Sequence, residues 1–189
     1  MEVIEQYTGI LKDRLTDSRF NHSLAVRKEA MRLAKKYGAD IKKAELAGLL
    51  HDIMKDTPPE EQLNYIKKFG TIMDNVEEVT PKLWHAIAGS LYIKHELGIF
   101  DEDILNAVRY HTTARAGMSL LEKTLYLADY TSAERDYEGV EDMRRDVDIS
   151  MEKAMHTALQ FSIIDLAKAD RAIHPDTFKA WNELILSNL

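Results

Sequence analysis

Apolar residues recur at three- and four-residue spacing along almost all of this chain, a period that admits little besides helix. No Asn-Gly, Asp-Gly or Gly-Gly pair sits between alternating apolar runs, so no β-hairpin is signalled. Punctuation is sparse, with eight glycines and four prolines in 189 residues. The pattern predicts helices from Glu2 to Leu15, from Thr16 or Asp17 to Tyr37 (closed by Gly38), and from an Asp40 N-cap to Lys55. Further helices are predicted from Pro59 to Gly70, from Pro81 to Leu97, from Asp101 to Tyr110 or His111, and from Ser119 to Tyr130. The last two run from Asp148 to Ala172 and onward from Pro175. Thr112 to Gly117 reads as loop, and Thr131 to Asp146 as polar loop with a short helix. No repeat, low-complexity tract or linker intervenes. The expectation is one all-α domain over residues 1–189, a bundle of roughly eight to ten helices.

Several helices carry polar residues where apolar ones belong. His22 lies four residues before Val26 on a stripe continued by Ala30, Leu33 and Tyr37. His51 and Asp52 follow Leu46-Ala47-Gly48-Leu49-Leu50 and precede Ile53-Met54, which places both in a buried helix. His85 shares a face with Ala88, Gly89 and Tyr92, His111 extends the Ile104, Ala107, Val108 stripe, and Asp129 follows Leu121 and Leu125. A buried ionised carboxylate costs several kcal/mol unless it is paired or binds metal. A lone inward histidine is ordinarily a hydrogen-bonded core residue. Six inward polar groups on five helices would each need a separate partner, and a shared divalent metal satisfies them together. His95 between two charged residues, His156 in mid-helix and His174 before Pro175 read as solvated or capping residues.

Cysteine is absent, which excludes disulfides, thiolate zinc sites, iron–sulfur clusters and a Cys nucleophile. Any metal must sit on His and carboxylate. The formal net charge of −7 argues against nucleic-acid or membrane-surface partners. It leaves a phosphorylated small substrate open, since bound metal reverses the local field. No apolar run reaches the ~18 residues of a membrane span, and no secretory signal is seen, so a cytoplasmic protein is the expectation.

The order His22, His51-Asp52, His85, His111, Asp129 resembles the HD-domain metal-dependent phosphohydrolases. Arg19-Phe20-Asn21-His22-Ser23, His51-Asp52-Ile53-Met54-Lys55-Asp56, His111-Thr112-Thr113 and Leu121-Glu122-Lys123 through Asp129 are similar to its YqeK branch, the symmetrical bis(5′-nucleosyl)-tetraphosphatases. Arg135 and Gly139-Val140-Glu141 extend the likeness, which spans about residues 19–145. Two departures bear on loop shape and nucleotide preference: Ala114 where the branch usually has Gly, and Ser132-Ala133 where it often has Glu-Pro.

The resemblance implies an HD-like helical bundle with two divalent metals, iron foremost, while the ligand chemistry also permits Mn, Co or Zn. His22, His51, Asp52 and Asp129 would hold one ion. His85 and His111 would supply a second, with Asp52 as bridge. A metal-bridged hydroxide would attack phosphorus and split diadenosine tetraphosphate into two ADP. Arg19, three residues before His22, and Lys55, four after His51, would reach toward the phosphates. Thr112 and Thr113 could donate from the loop, and Arg115 and Arg135 are further phosphate candidates. Asp56 is either an acid or base toward the leaving group or an orienting residue. Met118 and Tyr130 either wall the base pocket or belong to the core. The other functions left open are a nucleotide or deoxynucleotide 5′-phosphohydrolase, di-iron oxygenase chemistry, and a non-catalytic helical regulatory domain. A small-molecule nucleotide is the expected partner, and a homodimer is allowed.

Overall fold

Eleven α-helices and no strand occur among the described residues, 2–187, of the computed structural model: α1 (Glu2–Arg14), α2 (Asp17–Tyr37), α3 (Ile41–Leu50), α4 (Pro59–Lys68), α5 (Asn75–Val79), α6 (Pro81–His95), α7 (Glu102–Tyr110), α8 (Leu120–Thr131), α9 (Val140–Ile149), α10 (Met151–Lys168) and α11 (Pro175–Leu186). The ends follow local chemistry. Thr16 caps α2, accepting from the Arg19 N–H, and Gly38 closes it at φ +81°, a left-handed conformation open to glycine. Asp40 caps α3, Asp101 caps α7, and Ser119 forms a capping box with Glu122 at the start of α8.

The stripes read from the sequence form the core. Val26, Ala30 and Leu33 of α2, Ala47 and Leu50 of α3, Val108 of α7 and Leu125 of α8 are all buried. Each such large aliphatic side chain contributes about 1.5–3 kcal/mol by leaving water. Helices α2 and α3 approach very closely at Gly48, where a Cβ would lie 2.8 Å from the Arg27 Cα. Helix α6 packs on α4 and α7, while α9 and α10 pack on α8 and α11 packs on α10. No helix of the described residues is long and apolar enough to cross a membrane.

Three expectations need correction. Helix α3 stops at Leu50, not Lys55, so His51 and Asp52 sit in a chain of tight turns just beyond it. There the backbone bonds shorten to Ile53 N–H with Leu50 (3.0 Å) and Lys55 N–H with Asp52 (2.8 Å). Gln62 donates to the Met54 and Thr57 carbonyls at 3.0 and 2.6 Å, holding the turns in place. The count exceeds the expected range because α5 exists, started by an Asp74–Glu77 capping box. The short helix expected within 131–146 is α9, which runs past that segment to Ile149. Asp148 lies inside α9, and Ser150 caps α10, which ends at Lys168 rather than Ala172.

Candidate metal centre

Five elements deliver six side chains to one point: α2 carries His22, the turns after α3 carry His51 and Asp52, α6 carries His85, the end of α7 presents His111, and α8 carries Asp129. His22, His51, Asp52, His85 and His111 are buried, while the Asp129 side chain keeps 17% exposure. The imidazoles face one another through Nε2. His22 and His51 are 3.2 Å apart there, and His85 and His111 are 3.3 Å apart. His51 Nδ1–H donates to the Gly48 carbonyl at 2.9 Å and His111 Nδ1–H to the Val108 carbonyl at 2.7 Å. Those bonds select the tautomer with a bare Nε2 lone pair.

Asp52 joins the two pairs. Its Oδ2 lies 3.7 Å from His22 Nε2 and 3.6 Å from His51 Nε2, and its Oδ1 lies 3.2 Å from His85 Nε2 and 3.5 Å from His111 Nε2. Asp129 Oδ1 completes the first group, 3.2 Å from His22 Nε2 and 4.0 Å from His51 Nε2. These residues fit metal. Ligands about 2.1 Å from one ion stand roughly 3.0–3.4 Å apart when adjacent and about 4.2 Å apart when opposite on an octahedron, limits that bracket the 3.2–4.0 Å found within the two groups. Asp52 Oδ1 is buried and accepts no hydrogen bond, an orphan that a cation would satisfy.

The electrostatics agree. Burial pushes His51 down to about 3 and His85 down to about 4, keeping both neutral and able to donate a lone pair. Burial also pulls on His22, but Asp129 and Glu134 outweigh it and raise that histidine. Burial opposes ionisation of Asp52, yet the imidazoles of His51, His111 and His85 hold it well below the usual carboxylate range. Asp129 is likewise lowered, its burial outweighed by His22 and Arg135.

Three cations ring the cluster. Arg19 Nη1 is 2.9 Å from Asp52 Oδ2. Lys55 Nζ donates to His85 Nε2 at 3.1 Å, and burial lowers its pKa against the pull of Asp52. Arg135 binds the Asp129 carboxylate and donates through Nε to the Asp129 carbonyl at 2.7 Å. Thr113 is buried behind His111, with its carbonyl accepting from Thr177, and Thr112 lines an adjoining cavity of about 380 Å³ with Lys82 and His174.

Other candidates are committed elsewhere. Asp56 Oδ2 accepts from the Thr16 N–H at 2.8 Å and the Thr16 hydroxyl at 2.9 Å, so it ties the turns to the start of α2. Arg115 forks onto buried Glu122 at 2.6 and 3.0 Å and stacks over Tyr110, lining a different cavity together with Met118. The Tyr130 hydroxyl pairs with Ser162. His95 stacks on Phe69 at 3.9 Å, and His156 packs against Trp181 at 4.9 Å. His174 caps α11, as one of its two expected roles had it, and is buried rather than solvated. Its Nδ1 accepts from the Asp176 N–H at 3.1 Å, and its Nε2 faces Asp74 at 2.9 Å and Glu77 at 3.4 Å. The proton therefore sits on Nε2, so this acidic cluster presents no imidazole lone pair for a metal.

Glu134 escaped the sequence reading. Its Oε1 accepts from His22 Nδ1–H at 2.5 Å. It lies in a loop, where no period marks an inward residue, and its only sequence signal is an acid shortly after Asp129.

Comparison with known proteins agrees with this geometry. The HD domain family profile matches residues 19–134. The symmetrical bis(5′-nucleosyl)-tetraphosphatase of Bacillus subtilis is 37% identical over 181 residues, covering 96% of this chain and 97% of the relative. That of Halalkalibacterium halodurans is 40% identical over 177 residues, covering 94% of each. A solved HD superfamily hydrolase from Clostridium acetobutylicum, described as involved in NAD metabolism, superimposes with a TM-score of 0.94 at 36% identity, covering 97% of both chains.

Proposed function

Because the chain belongs to the HD domain family and, within it, to the symmetrical bis(5′-nucleosyl)-tetraphosphatases, we propose that it hydrolyses dinucleoside tetraphosphates symmetrically at the centre built around Asp52. The substrate is diadenosine tetraphosphate or a close analogue, and the products are two nucleoside diphosphates. The whole chain acts as one catalytic domain in the cytoplasm, without nucleic-acid or membrane partners.

His22, His51, Asp129 and Oδ2 of Asp52 would hold one divalent ion, and His85, His111 and Oδ1 of Asp52 a second, with iron the first choice. Such ions lower the pKa of a bound water toward neutrality and polarise phosphoryl oxygens. The protein supplies the rest. Arg19 lies at Asp52 with its side chain 31% exposed, placed to donate its remaining N–H groups to a phosphate. Lys55, held at His85 in a buried setting, adds a second phosphate donor. Arg135 and the Thr112 hydroxyl serve the outer phosphates, whereas the Thr113 hydroxyl is buried out of their reach. With water attacking one central phosphorus, the bond to the bridging oxygen breaks and the other nucleoside diphosphate leaves with that oxygen. Asp56 positions the turns rather than moving a proton.

The observation that carries this reading is the division of Asp52. One buried carboxylate turns each oxygen to a different histidine pair, with Arg19 and Lys55 alongside. The test is product identification. Iron- or manganese-loaded protein given diadenosine tetraphosphate yields ADP as the sole nucleotide product. AMP plus ATP would overturn the symmetrical reading.

A further inference from the structure

Three of the inward Nε2 atoms, those of His22, His51 and His111, are set by the acceptor that holds Nδ1. His51 and His111 use backbone carbonyls of their own chain segment, neutral and three residues away. His22 uses a carboxylate 112 residues distant, Glu134 Oε1 at 2.5 Å. We propose that Glu134 is a positioning residue for His22, fixing its tautomer and ring orientation and, through its charge, strengthening Nε2 as a ligand.

The loop around Glu134 is built for that task. Ser132 closes α8 and donates its hydroxyl to the same Oε1 at 2.8 Å. Arg144, from α9, reaches back and donates to the Thr131, Ser132 and Arg135 carbonyls at 3.1, 2.7 and 3.0 Å. Three backbone anchors from one guanidinium make this short segment rigid without secondary structure of its own. The carboxylate side chain is 35% exposed, so it pays little desolvation while its bonded oxygen faces the buried ring. Histidine ligands commonly donate their second N–H to a carboxylate or carbonyl, and removing such a partner costs about 10–100-fold in metal affinity. Here the partner follows Asp129 by five residues, so one loop supports two members of the first ligand group.

The inference rests on the two-metal reading above, and its test separates the two. Mn²⁺ binding to the full chain is measured by electron paramagnetic resonance of the free ion, for the parent, Glu134→Gln and Glu134→Ala. Glu134→Ala is expected to weaken one of the two Mn²⁺ ions about 10–100-fold and leave the other unchanged. Glu134→Gln keeps an acceptor oxygen for Nδ1–H but lacks the charge, so it falls between. Because positioning acts through metal affinity, excess Mn²⁺ restores most of the kcat of both variants, with KM for diadenosine tetraphosphate unchanged. Variants that bind both ions like the parent overturn the role of Glu134 while leaving the two-metal centre standing. Equal weakening of both ions, or loss of kcat that Mn²⁺ does not restore, also overturns it. A parent that binds no Mn²⁺ overturns both readings.

Discussion

Gly48 offers a test of how closely the fold sets the centre. It lies on α3 facing α2, and an added Cβ would stand 2.8 Å from the Arg27 Cα and 3.1 Å from both the Arg27 N and the Ala30 Cβ. The nearest atom is backbone and cannot rotate away. Contact is about 0.6 Å short of the ordinary 3.4 Å limit, so Gly48→Ala must push α2 and α3 apart by about that much. Overpacking costs about 1–3 kcal/mol, partly offset by the ~1 kcal/mol that Ala gains over Gly in a helix. A net loss of up to about 2 kcal/mol is expected. The same displacement separates His22, on α2, from His51, whose Nδ1–H is anchored on the Gly48 carbonyl. Metal ligands tolerate only about ±0.2 Å, and a 1 Å misplacement can cost about 100-fold, so kcat/KM should fall about tenfold or more. Gly89→Ala is the contrast. Its Cβ would meet the His51 carbonyl oxygen at 3.6 Å and Ile53 and Val108 at 3.7 Å, ordinary contacts, so stability should rise by about 0.5–1 kcal/mol. Urea denaturation and diadenosine tetraphosphate hydrolysis read both variants. If Gly48→Ala keeps parental stability and activity, the close approach does not hold the centre.

Further expectations follow from the same structure. Arg19→Ala should lower kcat/KM about 10–100-fold, the loss of one charge-assisted contact of about 1.5–3 kcal/mol, while Arg19→Lys recovers only part; steady-state kinetics decide. Metal-free protein should lose stability as pH falls from about 6.5 toward 4. Unfolded His51 and His85 take up protons near 6.5, whereas the folded state delays them to about 3 and 4. His22, raised in the fold, acts oppositely, with its contribution full below 6.5 and lost as pH rises through its folded pKa. Urea midpoints at successive pH values would contradict this if they stayed level. Ala114 sits buried at φ +56°, a left-handed conformation that costs a non-glycine about 1–2 kcal/mol, so Ala114→Gly should change stability by less than about 1 kcal/mol despite losing a buried methyl.

The six-residue cluster was legible because on α2, α6, α7 and α8 a polar residue breaks an apolar stripe, and because His51-Asp52 interrupts an otherwise apolar run. His22 follows the Val26–Leu33 stripe into the core, and His111 follows Val108. The exit of α3 was not legible, because Leu49-Leu50-His51-Asp52-Ile53-Met54 stays apolar enough to pass for continuing helix. What marks its end is local geometry that no period encodes: the Ile53 N–H turns to the Leu50 carbonyl and the His51 ring takes the Gly48 carbonyl, while Gln62 holds the turns beyond through Met54 and Thr57. Arg115 looked like a phosphate ligand because it follows the His-Thr-Thr loop, but its partner is a buried acid of the same capping box that starts α8. Helix α5 had a readable signal, Asp74 three residues before Glu77, and its shortness hid it. Glu134 had no periodic signal, only its nearness to Asp129, because long-range contacts from irregular segments leave no period.

Hydrolysis in heavy-oxygen water tests the central claim most directly. Metal-loaded protein is given diadenosine tetraphosphate, and the nucleotides are analysed by mass spectrometry. Attack by water on a central phosphorus puts one heavy oxygen on the terminal phosphate of half the ADP molecules and none on the other half. Label in AMP or ATP would contradict cleavage at the middle of the chain.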